Sequence, residues 1–234
     1  MAASAPAVPP EASSADTLSE RAAVSVQRDI LTGRLPPGSR LGIMELAQRY
    51  GVGATPLREG LSRLVSRGLV VALGQRGFRV SPVSEHDLFD ITRMRIVIEL
   101  EALGLAMKNG KDEWEAGIIA ALHRMSRYVE RSGSRFREGT EEFDGLHKGF
   151  HTSLLEACGS PRLLAAHSDL YDQAYRYRRI MMRSFESGKT FADAHRQLAD
   201  CVLARNRKRA SAMLESHLKS TIDFVYPARK ARKS

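Results

Sequence analysis

The sequence contains little cysteine and no long apolar segment. Its 234 residues include two cysteines, Cys158 and Cys201, too few for a disulfide framework, which indicates buried thiols in a reducing compartment. No apolar run reaches the roughly 18 residues that a membrane-spanning helix requires. The first residues also lack the basic start and the apolar block of a signal peptide. We therefore expect a cytoplasmic protein that does not enter a membrane.

Acidic residues are outnumbered by basic residues. The 36 lysines and arginines against 27 aspartates and glutamates give a net charge of +9. Such an excess attracts polyanions, either nucleic acid or an anionic membrane surface. Many arginines lie between residues 40 and 79, which favours DNA as the partner, although any single one can be an ordinary solvated charge. They are Arg40, Arg49, Arg58, Arg63, Arg67, Arg76 and Arg79.

Residues 46–70 contain two short helical patterns separated by glycines. The apolar positions are Leu46, Ala47 and Tyr50 in the first pattern and Leu57, Leu61, Leu64 and Val65 in the second. Between them, Gly51 and Gly53 indicate a sharp turn, and two helices joined in this way form a helix-turn-helix, whose second helix can enter the major groove of DNA. We expect Thr55 to be the N-cap of that second helix and Pro56 its first residue.

Two apolar runs, residues 69–73 and 78–80, lie on either side of a glycine-rich basic turn. This pattern predicts a β-hairpin, and a helix-turn-helix followed by a hairpin is a winged helix. The groups expected to contact DNA lie at the start of the second helix, in the hairpin turn and at nearby basic positions. They are Arg40, Gly53, Ala54, Thr55, Arg58, Arg63, Gln75, Arg76 and Gly77.

Composition divides the chain into segments. Residues 1–16 are rich in Ala, Pro and Ser and are expected to be disordered. Residues 17–82 form the winged helix, with a first helix over 17–32, residues 83–226 form an all-helical domain, and the basic tail 227–234 is again expected to be disordered. In the helical domain, apolar spacing and glycine-containing breaks predict helices over 85–108, 111–131, 138–157, 161–183, 189–205 and 206–226. The predicted fold is mainly α, with a winged helix-turn-helix followed by an antiparallel bundle of six or seven helices.

Four histidines are expected on inward faces of these helices. His147 and His151 are four residues apart and share one helix face, while His195 and His217 lie on apolar faces of two later helices. A single inward histidine is most often a hydrogen-bonded core residue, but four from three helices can be satisfied together by a shared metal ion. Imidazole ligands suit zinc, nickel, copper and iron, and the spacing alone does not select among them.

Several motifs in the N-terminal region resemble GntR-family transcription regulators. They are residues 33–41 (GRLPPGSRL), 46–47 (LA), 55–59 (TPLRE) and 68–70 (GLV). Family members often carry Ser or Thr followed by Arg where this chain has Gly53 and Ala54, and Ala where it has Gly60. The resemblance implies a DNA-binding regulator, and the departure at Ala54 removes an arginine that commonly reads a base edge.

The helical domain resembles the FCD effector-binding domain of the FadR-type branch, and its HKGFH and ACGSPRLL motifs resemble CsiR-like members in particular. Many FCD domains hold a metal ion with one Asp and three His, and His151, His195 and His217 match the three His positions. His147 stands where the Asp is usual. The resemblance implies either an all-imidazole site or a three-histidine site with His147 more weakly engaged, while Asp144, one turn earlier, is a further candidate. Zinc or nickel is expected rather than magnesium or calcium.

Further residues are candidates for an effector pocket. The resemblance places Arg95 at a pocket position of FCD domains, where a guanidinium beside the metal can hold a carboxylate through two hydrogen bonds. Its i, i+4 partner Glu99 is included, although a surface ion pair explains the spacing equally well. Tyr171, Tyr175 and Arg178 form a polar aromatic stripe that either completes the pocket or forms an amphipathic interface. A small carboxylate, for instance a dicarboxylate, is the expected effector.

Three functions are compatible with these features. The first is a homodimeric DNA-binding transcription regulator, expected to be a repressor, that responds to a carboxylate at the metal site. The second is a metal-dependent helical hydrolase with a DNA-binding appendage, for which Asp144 is a candidate base, although no nucleophile motif accompanies it. The third is an architectural DNA binder in which the histidines are structural. We favour the first because the winged-helix pattern, the positive charge and the separate helical domain agree.

Overall fold

A computed structural model describes residues 14–136, 140–181 and 187–226 of the chain. The basic tail 227–234 and most of the segment 1–16 that we expected to be disordered lie outside the described residues, and the first helix begins at Ser14. The residue contacts divide the chain into two compact units, one holding most of residues 14–81 and the other residues 82–226.

The first unit consists of three helices and a small sheet. Its elements are α1 Ser14–Leu31, β1 Arg40–Leu41, α2 Ile43–Tyr50, α3 Ala54–Ser66, β2 Val70–Ala72 and β3 Phe78–Val80. The strands are antiparallel in the order β1-β3-β2, with Val70 opposite Val80 and Arg40 opposite Arg79. This is a winged helix-turn-helix, which confirms the predicted fold of the N-terminal region. Strand β1 was not predicted, because two residues carry no alternating pattern.

The turn between α2 and α3 depends on a glycine in the left-handed region. Gly51 ends α2 with φ 63° and ψ 38°, and its N–H donates to the carbonyl groups of the last turn of α2. This conformation is favourable for glycine and costly for most other residues. Helix α3 then buries Leu57, Leu61 and Leu64 completely, so that its other face remains exposed.

The prediction that Thr55 caps α3 was wrong. Gly53 is the N-cap and Ala54 is the first helical residue, so Thr55 lies within the first turn and no side chain caps the helix. Pro56 is therefore the third helical residue rather than the first. It is still tolerated, because the N–H groups of the first turn have no partner within a helix and proline lacks this group.

The described part of the second unit forms six α-helices, in agreement with the predicted bundle. They are α4 Glu85–Asn109, α5 Asp112–Ser132, α6 Glu141–Leu155, α7 Pro161–Met181, α8 Gly188–Leu203 and α9 Arg207–Val225. Helix α4 packs against α6, α7 and α9, while α5 packs against α6 and α8. Side chains of Ser84, Thr140, Ser187 and Asn206 cap the starts of α4, α6, α8 and α9. Across the described residues, no helix is long and apolar enough to span a membrane.

Arg205 ties the end of α8 to the α4–α5 corner. Among the described residues it is the one non-glycine position with positive φ, at 54°. Its guanidinium donates to the carbonyl groups of Met107 at 2.7 Å and Gly110 at 3.0 Å, and it pairs with Glu115. It also lies 4.7 Å above the ring of Trp114. The side chain thus satisfies carbonyl groups that the end of α4 leaves without intrahelical partners.

Candidate functional site

The exposed face of α3 carries the residues expected to read DNA. Ala54 is half-buried at the start of the helix, and Thr55 and Arg58 are exposed one turn apart. Arg63 lies further along and pairs with Glu20 of α1, with 3.2 Å between Nη1 and Oε2. This exposed ion pair contributes little to stability, so Arg63 differs from Arg58 mainly in having a partner within the protein.

The hairpin turn presents the other predicted DNA contacts. Gly74–Arg76 form a 3₁₀ turn between β2 and β3, and Gly77 follows with φ 90°, a conformation that favours glycine. Gln75 and Arg76 are exposed at this tip, and Arg40 is exposed on β1. The described structure therefore provides two separate basic elements, a helix and a wing, which suit the two grooves of DNA.

In the second unit, the four predicted histidines converge. His147 and His151 on α6, His195 on α8 and His217 on α9 each offer a ring nitrogen, and these atoms all lie within 4.8 Å of one another. The Nε2 atom of His147 lies 3.0 Å from the Nε2 atoms of both His195 and His151. The Nε2 atom of His151 in turn lies 3.2 Å from the Nε2 atom of His217. Nitrogens bound to one zinc ion at about 2.1 Å are about 3.0–3.4 Å apart. The spacing therefore fits a shared transition-metal ion.

Two of the rings are oriented by hydrogen bonds with opposite consequences. His195 Nδ1 lies 2.7 Å from the carbonyl oxygen of Phe191, which can only accept, so Nε2 of His195 keeps a free electron pair for a metal. His147 Nδ1 lies 2.8 Å from Nη2 of Arg178, and a guanidinium can only donate. We therefore assign the proton of His147 to Nε2, where it can donate to His195. In this arrangement Nε2 of His195 can accept a metal, whereas Nε2 of His147 could do so only after Arg178 leaves Nδ1 and the proton moves to that atom.

Burial keeps these imidazoles neutral. It lowers the pKa of His195 to about 4. It also lowers the pKa values of His147, His151 and His217 well below their usual value, with additional repulsion from neighbouring rings and arginines. The neutral form is the one that binds metals, so the cluster presents its ligand form at neutral pH.

Asp144 is beside the cluster but does not belong to it. Its carboxylate accepts a hydrogen bond from the Tyr171 hydroxyl at 3.1 Å and lies 3.7 Å from the guanidinium of Arg178. Burial raises the pKa of Asp144 to about 7, although Arg178 and Tyr171 act to lower it. The Tyr171 hydroxyl also lies 3.0 Å from Nδ1 of His147. Asp144 therefore reaches the histidines through Tyr171 and Arg178.

Arg95 and Glu99 form a buried ion pair rather than a surface one. Nε of Arg95 donates to Oε1 of Glu99 at 2.7 Å, and the two side chains are 6% and 1% exposed. Burial acts to raise the pKa of Glu99, but Arg95 and His167 outweigh it and hold the pKa below its usual value. The guanidinium of Arg95 lies 5.2 Å from the ring of Tyr171, and that of Arg178 lies 5.7 Å from the same ring. Two arginines thus flank one tyrosine next to the histidines.

Family comparisons assign both units. Residues 18–80 match the family model described as bacterial regulatory proteins of the gntR family, and residues 90–220 match the FCD domain. The chain belongs to the GntR family of bacterial regulators. Its FCD domain assigns it to the FadR-type branch, and it is a DNA-binding transcriptional regulator.

Other bacterial proteins are similar to this chain over most of their length. The transcriptional repressor GlaR of Escherichia coli K12 is 37% identical over 207 residues, which cover 87% of this chain and 93% of GlaR. The regulator BphR of Paraburkholderia xenovorans is 37% identical over 200 residues, covering 86% and 82% of the two chains. The solved structure of E. coli McbR/YncC has the same fold, with a TM-score of 0.75 at 21% identity over 91% of this chain and 98% of that chain.

Membership of the GntR family excludes the hydrolase hypothesis, because these regulators are not enzymes. The histidine cluster is then a candidate regulatory site rather than a catalytic one. Asp144, which we considered as a catalytic base, instead belongs to the hydrogen-bond network of Tyr171 and Arg178.

Sequence reasoning did not place His167 among the inward histidines, and it left the position of the Tyr175 hydroxyl open. His167 on α7 is fully buried, with Nδ1 3.2 Å from Oε1 of Glu99 and Nε2 3.3 Å from the Thr152 hydroxyl. His167 is four residues before Tyr171, so the two residues share one face of α7. This spacing was the sequence signal for an inward His167. Tyr175 directs its hydroxyl to the carbonyl oxygen of Thr140 at 3.5 Å, whereas the Tyr171 hydroxyl and the Arg178 guanidinium contact His147. It is therefore a weaker candidate for effector binding than Tyr171 or Arg178.

Proposed function

We propose that this GntR-family regulator is a homodimeric repressor whose affinity for its operator is controlled by a small carboxylate at a metal centre in the FCD domain. The observation that carries the proposal is the convergence of four imidazole Nε2 atoms beside two arginines, the buried Arg95 and the partly buried Arg178. Imidazoles alone need no arginine partner, whereas a metal with two neighbouring guanidinium groups forms a site for an anion.

The metal ligands we propose are His151, His195 and His217, with His147 as a conditional fourth. His195 is oriented by Phe191, whereas the Nδ1 atom of His147 accepts from Arg178. A divalent transition metal, zinc or nickel, suits this all-nitrogen set. Such an ion supplies a Lewis acid for a carboxylate oxygen when it is bound.

The effector we propose is a dicarboxylate. Arg95 is fixed by Glu99 through Nε, so its terminal nitrogens keep the geometry for a carboxylate. Arg178 lies 5.7 Å from the Tyr171 ring and 3.7 Å from the Asp144 carboxyl group. It donates hydrogen bonds to two neutral acceptors, His147 Nδ1 and the Tyr171 hydroxyl, at 2.8 and 3.1 Å. A carboxylate is a stronger acceptor than either, so Arg178 is the group we expect to turn toward the ligand. Two separate guanidinium groups favour two carboxylates over one.

For DNA, we propose that Thr55 and Arg58 contact base edges or phosphates, with the backbone of Gly53 and Ala54 close to the phosphates. Gln75, Arg76 and Gly77 would enter the minor groove, and Arg40 and Arg63 would contact the backbone of the duplex. A single winged helix gives a small interface, so two copies on inverted half-sites are expected. The similarity to the repressor GlaR supports repression, and a DNA-binding regulator is expected in the cytoplasm.

Elemental analysis after purification with added zinc or nickel tests the metal centre. The wild type should carry about one ion per chain, His151→Ala and His195→Ala should lose it, and the control His123→Ala, which removes an exposed histidine of the same unit, should retain it. Equal metal content in all four proteins, or none in the wild type, would overturn the proposal and favour structural histidines.

Titration with straight-chain dicarboxylates from succinate to adipate tests the effector class. Binding to the metal-loaded wild type and weaker binding to Arg95→Gln and Arg178→Gln are expected, each by calorimetry. A metal-loaded protein that binds none of the series, and whose affinity for DNA is unchanged by all of them, would contradict the dicarboxylate assignment while leaving the metal centre intact.

A further inference from the structure

The start of α4 is held by a tyrosine from α7. The N–H of Ser84 donates to the hydroxyl of Tyr177 at 3.0 Å, and that hydroxyl donates to Oδ2 of Asp87 at 2.5 Å. The Ser84 side chain in turn accepts from the N–H of Asp87 at 3.1 Å and caps the helix. Tyr177 is fully buried, and burial together with Asp87 raises its pKa above the usual value. The hydroxyl therefore stays protonated and keeps donating at neutral pH.

Tyr177 belongs to a small apolar core that is separate from the main core of the bundle. We call it the α4-start cluster; its buried members are Leu88, Ile91, Ala174, Tyr177, Ile222 and Val225. They come from α4, α7 and α9. Val83, just before α4, packs against this cluster.

Each of these three helices also carries a residue of the candidate effector site. Helix α7 carries Tyr171 and Arg178, which contact His147 at 3.0 and 2.8 Å. Helix α9 carries His217, and α4 carries Arg95, one turn after Ile91. A helix is stiff over one or two turns, so a displacement of the α7 backbone at Tyr171 or Arg178 also displaces Tyr177.

The connection to the DNA-binding unit is short at this point. Ser81 is fixed within the first unit, because its N–H donates to the Leu69 carbonyl at 3.0 Å and its hydroxyl donates to the Gly68 carbonyl at 2.8 Å. Ser84 is fixed within the second unit by Tyr177. Pro82 and Val83 alone separate these two fixed residues, and proline restricts the backbone further.

The geometry points to Tyr177 as the positioning residue that transmits ligand binding to the DNA-binding unit, through its hydrogen bonds to Ser84 and Asp87. This inference rests on the proposed function, because it requires a ligand at the histidine cluster. Ligand binding moves α7, the hydroxyl of Tyr177 moves the start of α4, and the two-residue connection passes this movement to Ser81. A ligand can act in this way only through its differential affinity for the two arrangements.

The test uses the full-length protein and a DNA ligand selected from a random pool with the wild type. Tyr177→Phe removes the hydroxyl and keeps the ring in the α4-start cluster, and Asp87→Ala removes the partner from the other side. Tyr128→Phe is the matched control, since its hydroxyl contacts the Thr140 side chain at 3.1 Å, outside this cluster. Zinc content, dicarboxylate affinity and DNA affinity with and without dicarboxylate are measured for each protein.

We expect dicarboxylate to change the DNA affinity of the wild type and Tyr128→Phe by about fivefold or more, a usual size for coupling between two sites. Tyr177→Phe and Asp87→Ala should keep zinc and dicarboxylate binding. In these two variants, however, addition of dicarboxylate should change the DNA affinity by less than about twofold. A response of wild-type size in both variants overturns this inference alone. A wild type that binds no zinc or dicarboxylate, or whose DNA affinity does not respond to them, overturns it together with the proposed function.

Discussion

Gly60 gives a prediction in which two known effects oppose each other. In the interior of a helix, alanine is more favourable than glycine by about 1 kcal/mol, and Gly60 lies in the middle of α3. A Cβ atom at this position, however, would lie 2.8 Å from the carbonyl oxygen of Ser19 and 2.9 Å from the backbone nitrogen of Ala23 on α1. These are backbone atoms and cannot rotate away.

The steric effect should win at Gly60. Overpacking of this kind costs about 1–3 kcal/mol, and two backbone contacts shorter than 3.0 Å place the cost in the upper part of that range. After the gain in helix propensity, Gly60→Ala should lower the free energy of unfolding by about 1–2 kcal/mol. The matched control is Gly117→Ala in α5, where a Cβ would meet nothing within 4 Å. There the same substitution should be stabilising by up to about 1 kcal/mol.

The assay can assign each effect to its unit. Trp114 is the single tryptophan and lies on α5, so its fluorescence reports on the second unit, whereas calorimetry and circular dichroism report on both. For a unit of 60–100 residues, 1 kcal/mol shifts Tm by about 4–8 °C. Gly60→Ala should lower a calorimetric transition by that order, and Gly117→Ala should raise the fluorescence transition. If Gly60→Ala is as stable as the wild type or more so, the close approach of α1 and α3 is wrong.

Three further predictions concern other parts of the chain. Arg58→Ala should weaken specific DNA binding by about 1–3 kcal/mol at fixed salt. Unchanged affinity in a fluorescence anisotropy titration would show that Arg58 does not contact the DNA. Arg205→Ala should lower the free energy of unfolding by about 1–3 kcal/mol, because the carbonyl groups of Met107 and Gly110 lose a charged donor. Arg205→Lys lacks the planar guanidinium group and should recover only part of this loss. Urea titrations measure the free energy of unfolding of both variants. The metal-free protein should lose stability as the pH falls from about 6.5 toward 4, because the unfolded chain binds protons that the four imidazoles of the cluster, with the pKa of His195 lowered to about 4, do not. Asp144, whose pKa is raised to about 7, acts in the opposite direction, but the four imidazoles outnumber it. A urea midpoint that stays constant between pH 7 and pH 5 would contradict the neutral, buried state of the cluster.

The periodic parts of the fold were predictable from the sequence, and the helix ends were less so. Apolar spacing identified the helix-turn-helix and the six helices of the second unit, because burial of one face leaves a repeating pattern. Thr55 shows the limit. Its residue type suits an N-cap, but the helix begins one residue earlier, at Ala54, and Gly53 is the N-cap. The local geometry after Gly51, rather than side-chain preference, decides where α3 begins.

The candidate metal residues were predictable because their spacing and apolar neighbours both indicated inward faces. The burial of Arg95 and Glu99 was not, since an i, i+4 ion pair has the same sequence pattern on a surface and in a core. Helix α4 packs against α6, α7 and α9, so more than one of its faces is buried and a charged pair can lie inside. The hydrogen bonds of Tyr177 had no sequence signal, because its partners Ser84 and Asp87 are about 90 residues away.

The distribution of the four histidines along the chain has a consequence for biosynthesis. His151 and His217 are separated by 66 residues and meet only when the last helix of the bundle, α9, has docked. A nascent chain that has not yet released residues 207–225 from the ribosome presents at most three of the four rings. Closing this loop has an entropic cost that grows only slowly with its length, and a bound ion would offset that cost only after closure. In the proposed metal centre, the ligand set would therefore be complete only after α9 has docked, and a cell short of the ion would hold a folded regulator without that added stability.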